Sequence, residues 1–267
     1  MQSTRPVISV IIPTHRRPVL LERALHSIKS QVSPFSYEII VVADEWNPAD
    51  DEVCQRLLGP DDIKVKRNGP PGPAQSRNLG LELASGKYVM FLDDDDAWQP
   101  GLLAQLAELS EIREGRLVYF DCEVVTESRT TPQPQLISKT KVDLSGTLNE
   151  LVFVKNQVDM SCFAFPRQLI GHIRFDSHMR AYEEWDFMLS LFEREMPAHV
   201  PVLGSIIHEV LDDPSERRDN SEDASNLHTI MDYLYVYRRH PAPSDAVRER
   251  RAVLMQQVGV TLPADLL

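Results

Sequence analysis

Five short apolar runs, four of them followed by a stretch with helical spacing, constrain the first ~125 residues more than any other feature. "VISVII" (residues 7–12) is stopped by Pro13, and behind Pro18 the residues Leu20, Leu21, Ala24, Leu25 and Ile28 fall on one helical face. "YEIIVVA" (37–43) is followed by a weaker helix around Asp51 to Leu58. "IKVKR" (63–67) is a short third strand, and "NGPPGP" (68–73) can only be a loop. "AQSRNLGLELAS" has helical spacing and reaches a stop at Gly86. "KYVMFL" (87–92), a helix from about Gly101 to Arg113, and "RLVYFDCEVV" (116–125) complete the series. Runs that are apolar on successive residues, rather than on alternate ones, are buried on both faces, as strands of a parallel sheet are. Strand and helix in alternation predict an α/β layered domain with a mostly parallel sheet. In such sheets ligands bind at the carboxyl ends of the strands.

One of those ends carries four acids. "YVMFLDDDDAW" (88–98) places Asp93, Asp94, Asp95 and Asp96 directly behind a buried strand. Successive side chains on an extended chain oppose each other, so Asp93 and Asp95 share a face and a turn redirects Asp96. Like charges packed this closely raise at least one pKa and favour a cation between them. Hard carboxylate oxygens suit Mg²⁺ or Mn²⁺, with positions left open for a substrate phosphate. The plainer reading is a solvated acidic turn. No GxGxxG follows the first strand and no GxxxxGK[ST] occurs anywhere, so the dinucleotide and P-loop frameworks lack their mechanical parts.

Charge narrows the partners. Lys plus Arg is 28 against 40 Asp plus Glu, a net charge of -12. Such a chain lacks the basic footprint that neutralises phosphates, and no nucleic-acid partner is expected. Cys54, Cys122 and Cys162 are far apart and outside any CxxC spacing, and they read as reduced thiols. No signal peptide and no window of ~18 apolar residues is seen, so a cytoplasmic protein is expected.

"VISVIIPTHRRPVLLERALHSIKSQ", "EIIVVADEWN" and "GPAQSRNLGLELASGKYVMFLDDDDAWQPGLL" resemble the successive blocks of family 2 glycosyltransferases, in order and spacing. "AYEEWDFMLSLF" resembles that family's acidic acceptor-side motif, and the likeness covers about residues 5 to 210. It implies a GT-A fold: a Rossmann-like, mostly parallel central sheet flanked by helices, here with a C-terminal helical extension. The expected divisions are a donor-binding half (1–125), an acceptor-binding and catalytic half (126–223) and the extension (224–267). Pro13 and Thr14 would lie beside the nucleotide base. Asp44 would meet base or ribose, although Ala43 stands where a second acid is common. Arg77 and Asn78 match an "RN" segment beside the donor. Asp93 and Asp95 would form a DxD metal motif, Asp94 and Asp96 would contact ribose, sugar or a neighbouring group, and the cofactor would be Mn²⁺ or Mg²⁺. Glu184 matches the base of an inverting transfer, with Glu183 as fallback; Trp185 is either a sugar-stacking ring or core. His208, at the end of "GSIIHEV", is a further metal or phosphate candidate.

The implied activity is transfer from a nucleotide diphosphate sugar, a UDP-sugar, to a hydroxyl of a carbohydrate or lipid-linked glycan acceptor. Polysaccharide, lipopolysaccharide or glycoconjugate assembly is its implied setting. A lipid-borne acceptor would bring the protein peripherally to the inner face of the cell membrane. The last two helices, with "MDYLYVYRRHP" (231–241), are then the candidate docking or homodimerisation element. Residues 126–147 read as loop. Residues 211–223 read as a mobile loop in which Arg217 and Arg218 are lid candidates. A sugar-phosphate nucleotidyltransferase should carry a glycine-rich, lysine-containing loop after its first strand, and "PTHRRP" is not one. A non-catalytic nucleotide-sugar-binding module would place Glu183 and Glu184 far from the metal.

Overall fold

The computed structural model describes residues 5–131, 133–211 and 224–267. Arg217 and Arg218 lie outside them. The first elements are β1 (Ile8–Thr14), α1 (Pro18–Lys29), β2 (Tyr37–Ala43), α2 (Pro48–Leu57), β3 (Ile63–Lys66), α3 (Pro73–Leu83) and β4 (Tyr88–Phe91). Next come β5 (Ala97–Trp98), α4 (Leu102–Glu108), α5 (Ser110–Glu114), β6 (Val118–Ser128), β7 (Gln135–Val142) and β8 (Phe163–Pro166). The chain continues through α6 (Arg167–Ile170), α7 (Glu183–Phe192), β9 (Ala198–Val210), α8 (Ala224–Arg239) and α9 (Asp245–Gln257).

The strands form one sheet in the order β3-β2-β1-β4-β8-β6-β9-β5, with β7 also paired to β6. β1 to β4 are mutually parallel, β8 runs against β4 and β6, and β6 is parallel to β9. The carboxyl ends of β1, β2, β4, β6 and β9 therefore share one edge. Every residue of β1 and β4 is buried, as continuous apolar runs require. α3 packs on β1 through Gly80, where an added Cβ would stand 2.4 Å from Ile11 Cγ2.

Several elements differ from the sequence expectation. β1 runs through Pro13 to Thr14. Leu92 N–H donates to Ile11 O, so Pro13 also faces the β4 side, but β4 ends at Phe91 and the missing N–H costs no ladder bond. Gly86 is not the helix stop; α3 ends at Leu83, and Gly86 is needed because a Cβ there would lie 2.7 Å from Ser9 N. The expected 101–113 helix is two, broken at Leu109, whose ψ of 133° is extended. Residues 126–147 are not simply loop: β6 and β7 form an antiparallel hairpin. Almost all of β7 is exposed, so no alternation of burial marked it. On α8, where the sequence spacing puts Leu227, Ile230, Met231, Leu234 and Tyr235 on one face, the buried face is Ile230, Tyr233, Val236 and Tyr237, and Met231 and Tyr235 are exposed. The tyrosines win because their rings pack on buried Trp185, at 5.7 Å and 6.0 Å between centroids. Leu227 lies outside the described side chains.

Candidate active site

The aspartates sit where β4 stops and the chain turns back into β5. Asp96 N–H donates to Asp93 O at 3.1 Å and closes that turn. The turn splits the four. Asp94 and Asp96 point inward, each 5% exposed, while the side chains of Asp93 and Asp95 are 41% and 24% exposed. Asp94 fastens the turn to β1: Thr14 Oγ1 donates to it at 2.7 Å and His15 N at 3.3 Å. Burial first, then the neighbouring Asp95, pushes its carboxyl up to about 6, against the pull of Arg17. Asp96 accepts His208 N–H at 2.8 Å and is raised well above its ordinary range, by burial first and then by Asp159. Raised pKa values were expected from crowding; burial is the larger cause.

Asp93, Asp94 and Asp95 open onto a cleft of about 770 Å³ at the carboxyl ends of β1, β2 and β4. Pro13, Thr14 and Asp44 line one end, Arg77 and Asp93–Asp95 the floor, and Glu183 and Glu184 the far wall. Asp44 holds its part of the cleft wall together: His15 Nδ1 lies 2.6 Å from one carboxylate oxygen, and Gly72 N–H donates to the other at 2.9 Å. That second contact ties the "NGPPGP" loop to the end of β2.

Arg77 is the centre of the site. It is 2% exposed, yet its guanidinium meets three carboxylates. Nη2 lies 2.6 Å from Asp93 and 2.6 Å from Glu184, and Nη1 lies 3.5 Å from Glu183. Burial alone would lower its pKa, but Asp93, Glu184 and Glu183 raise it on balance, so the cation is fixed. Glu184 keeps 26% of its side chain open and is otherwise enclosed by protein. That enclosure, opposed by Arg77 and reinforced by Asp93 and Glu183, pushes its carboxyl up to about 8.

Further arginines, from distant elements, surround the turn. Arg17 Nη1 reaches Asp94 at 3.3 Å and Asp95 at 3.4 Å. Arg129, in the β6–β7 hairpin, reaches Asp95 at 3.3 Å, and Arg23 of α1 donates to the Asp95 carbonyl. The sequence reading missed Arg17, Arg23, Arg129 and Asp159. "PTHRRP" was a signal for Arg17; nothing local marks the others.

Four expected residues lie behind the cleft wall. Asn78 donates to Phe175 O at 2.8 Å and accepts its N–H at 2.9 Å, a clamp on the second half of the chain. Trp185 is fully buried and donates to Val152 O at 2.7 Å, so of its two readings the structure supports core, not sugar stacking. Asp96 is turned away from the cleft. His208 backs Asp96, with Nδ1 3.9 Å from its carboxylate. Burial, helped by Arg23, lowers the ring to about 4 and keeps it neutral near pH 7.

Asp93 and Asp95 each keep a carboxylate oxygen that a cation could use. Among the described residues no hydrogen bond ends on Asp93 Oδ2 or Asp95 Oδ1, and both side chains face the cleft. Two oxygen donors with an open face are what Mg²⁺ or Mn²⁺ takes beside a phosphate.

The family model described as "Glycosyl transferase family 2" matches residues 9–170. The chain is 36% identical over 184 residues to the Campylobacter jejuni GalNAc(5)-diNAcBac-PP-undecaprenol beta-1,3-glucosyltransferase. That match spans 67% of this chain and 57% of that enzyme's length. The S. aureus TarS 1–349 structure in complex with UDP-GlcNAc aligns with a TM-score of 0.65 at 17% identity, over 95% of this chain and 73% of that one. The Pyrobaculum calidifontis mannosyltransferase PcManGT, in complex with GDP-Man and Mn²⁺, aligns with a TM-score of 0.56 at 16% identity. It covers 98% of this chain and 78% of that one. At such identities the structural likeness speaks for the fold alone.

Proposed function

The chain belongs to glycosyl transferase family 2, and from that premise we propose that it transfers a sugar, with inversion, from a UDP-sugar to a hydroxyl of a glycan acceptor. The observation that carries this is the Arg77 bridge, which brings Asp93 and Glu184 to one guanidinium nitrogen inside one cleft. An inverting transfer needs the base on one side of the sugar and the leaving diphosphate on the other. Glu184 accepts the proton of the attacking hydroxyl. Pro13, Thr14 and Asp44 hold the nucleoside end. Arg17, already beside Asp94 and Asp95, is placed to meet the diphosphate. Asp93 and Asp95 would hold Mn²⁺ or Mg²⁺, which supplies charge neutralisation for the leaving diphosphate. TarS is seen with UDP-GlcNAc and PcManGT with GDP-Man, so UDP is the part of this proposal that the donor assay decides.

The C. jejuni relative's name supports an acceptor carried on a polyprenyl diphosphate, within surface glycan or glycoconjugate assembly. Contact with the inner face of a membrane would then be peripheral; no helix among the described residues is long and apolar enough to cross one. The nearness of Glu184 to Asp93 weighs against a non-catalytic module.

The test is release of the free nucleotide, a diphosphate from UDP-, GDP- and dTDP-sugars and CMP from CMP-sugars, with Mn²⁺ present. We expect release from a UDP-sugar above all others. Release from GDP-sugars alone would overturn the choice of base, and release from none would overturn the transferase reading.

A further inference from the structure

The helix that bears Glu183 and Glu184 starts without a local cap. Tyr182, at its N-cap, has φ of 63°, a left-handed value that a non-glycine residue adopts at a cost, and its side chain makes no capping bond. What fixes this start comes from the other end of the chain. Asp232 of α8 accepts the N–H of Arg180 at 3.2 Å and of Ala181 at 2.9 Å, immediately before the helix. One turn into α7, Asp186 is completely buried, and its two oxygens meet His240 Nε2 at 3.0 Å and Arg239 Nη1 at 3.1 Å. His240 Nδ1 lies 2.6 Å from Glu193, just past the far end of α7. Asp176, earlier in the same segment, accepts Tyr235 Oη at 2.9 Å and Arg239 Nη1 at 3.1 Å.

We infer that α8, through Asp232, Arg239 and His240, is the positioning element that sets Glu184 against Arg77 and Asp93. The inference rests on the transferase reading for its catalytic consequence, but its geometry stands alone. A buried carboxylate such as Asp186 is tolerated only while paired, and among the described residues its ion-pair partners are Arg239, the last residue of α8, and His240 directly after it. Glu184 is therefore placed by two anchors on different parts of the chain: Arg77 from the donor half, and α8 beneath the helix start. Asn78 holds Phe175, so segment 175–186 is stretched between the donor half and α8. These residues touch no substrate; they hold the residue that does.

The test uses the full chain and UDP-GlcNAc with Mn²⁺ as probe, water serving as acceptor. Asp232→Ala should lower kcat for UDP release about tenfold, with the KM for UDP-GlcNAc within about twofold, the split expected when only the reacting geometry is lost. Asp232→Asn, which keeps a carbonyl oxygen for both N–H groups, should restore most of that rate. Hydrogen exchange of residues 180–186 should speed up in the alanine variant and not in α3. An unchanged kcat, or a loss that follows the unfolded fraction and is not rescued by asparagine, overturns the inference. If the wild-type protein releases no UDP from UDP-GlcNAc, that donor is ruled out by itself, and the exchange measurement still decides the anchoring: unchanged exchange at 180–186 overturns it.

Discussion

Glu184→Gln is expected to lower sugar transfer by ~10²–10⁴-fold, the usual contribution of a positioned general base, while UDP binding stays close to wild type. Glutamine preserves the shape and the contact to Arg77 Nη2 but cannot take a proton. The pH profile carries the same information. Glu184 is held up at about 8, so below that value most molecules hold it protonated and unable to act as base. The wild-type rate should therefore rise with pH through this region. A cation held by Asp93 and Asp95 favours the charged carboxylate and moves the limb to lower pH. In Glu184→Gln the limb should vanish along with most of the rate. Steady-state rates from pH 5.5 to 9 check both points. If Glu183→Gln shows the larger loss, the fallback base is the true one.

Arg77→Met should cost about 3 kcal/mol of stability, the low end for removing one partner of a buried ion pair. The low end applies because water still screens Asp93, whose side chain is 41% exposed. Methionine leaves Asp93, Glu183 and Glu184 facing one another without their cation. Glu184, already raised to about 8 with Arg77 beside it, then rises further in the folded state. A carboxyl whose folded pKa is raised contributes its stability below the unfolded value, near 4.5, and loses it as pH rises through the folded one. The deficit of the variant should thus be small at pH 5 and nearly full at pH 8. Urea denaturation at both pH values measures it. Equal deficits at the two would contradict the three-carboxylate picture of Arg77.

How legible was this in the sequence? The donor-half strands were, because a run buried on both faces leaves a continuous apolar signal. β7 was not: a strand exposed on almost every residue has no pattern to read. The greater exposure of Asp93 and Asp95 than of Asp94 agrees with the shared face read from alternation, and the turn sends Asp96 away from the cleft. The burial of Arg77 does not follow from any local rule. An arginine ordinarily reads as exposed, and carboxylates brought in by the fold, Asp93, Glu184 and Glu183, make its burial tolerable. Arg129 and Asp159 were missed for the same reason, since long-range pairing brings them to the turn. Trp185 was open between sugar and core because a helical position does not say which side the C-terminal helices cover.

The most direct test of the central claim is the thermal shift produced by UDP, with and without Mn²⁺, on the wild-type protein and on Asp95→Ala. A site in which Asp93 and Asp95 carry a cation beneath a diphosphate predicts a rise in Tm that needs both UDP and Mn²⁺. It also predicts that Asp95→Ala, a partly exposed side chain whose loss should leave the fold intact, abolishes that rise. A wild-type shift that is absent, or one that persists undiminished in Asp95→Ala, would contradict it.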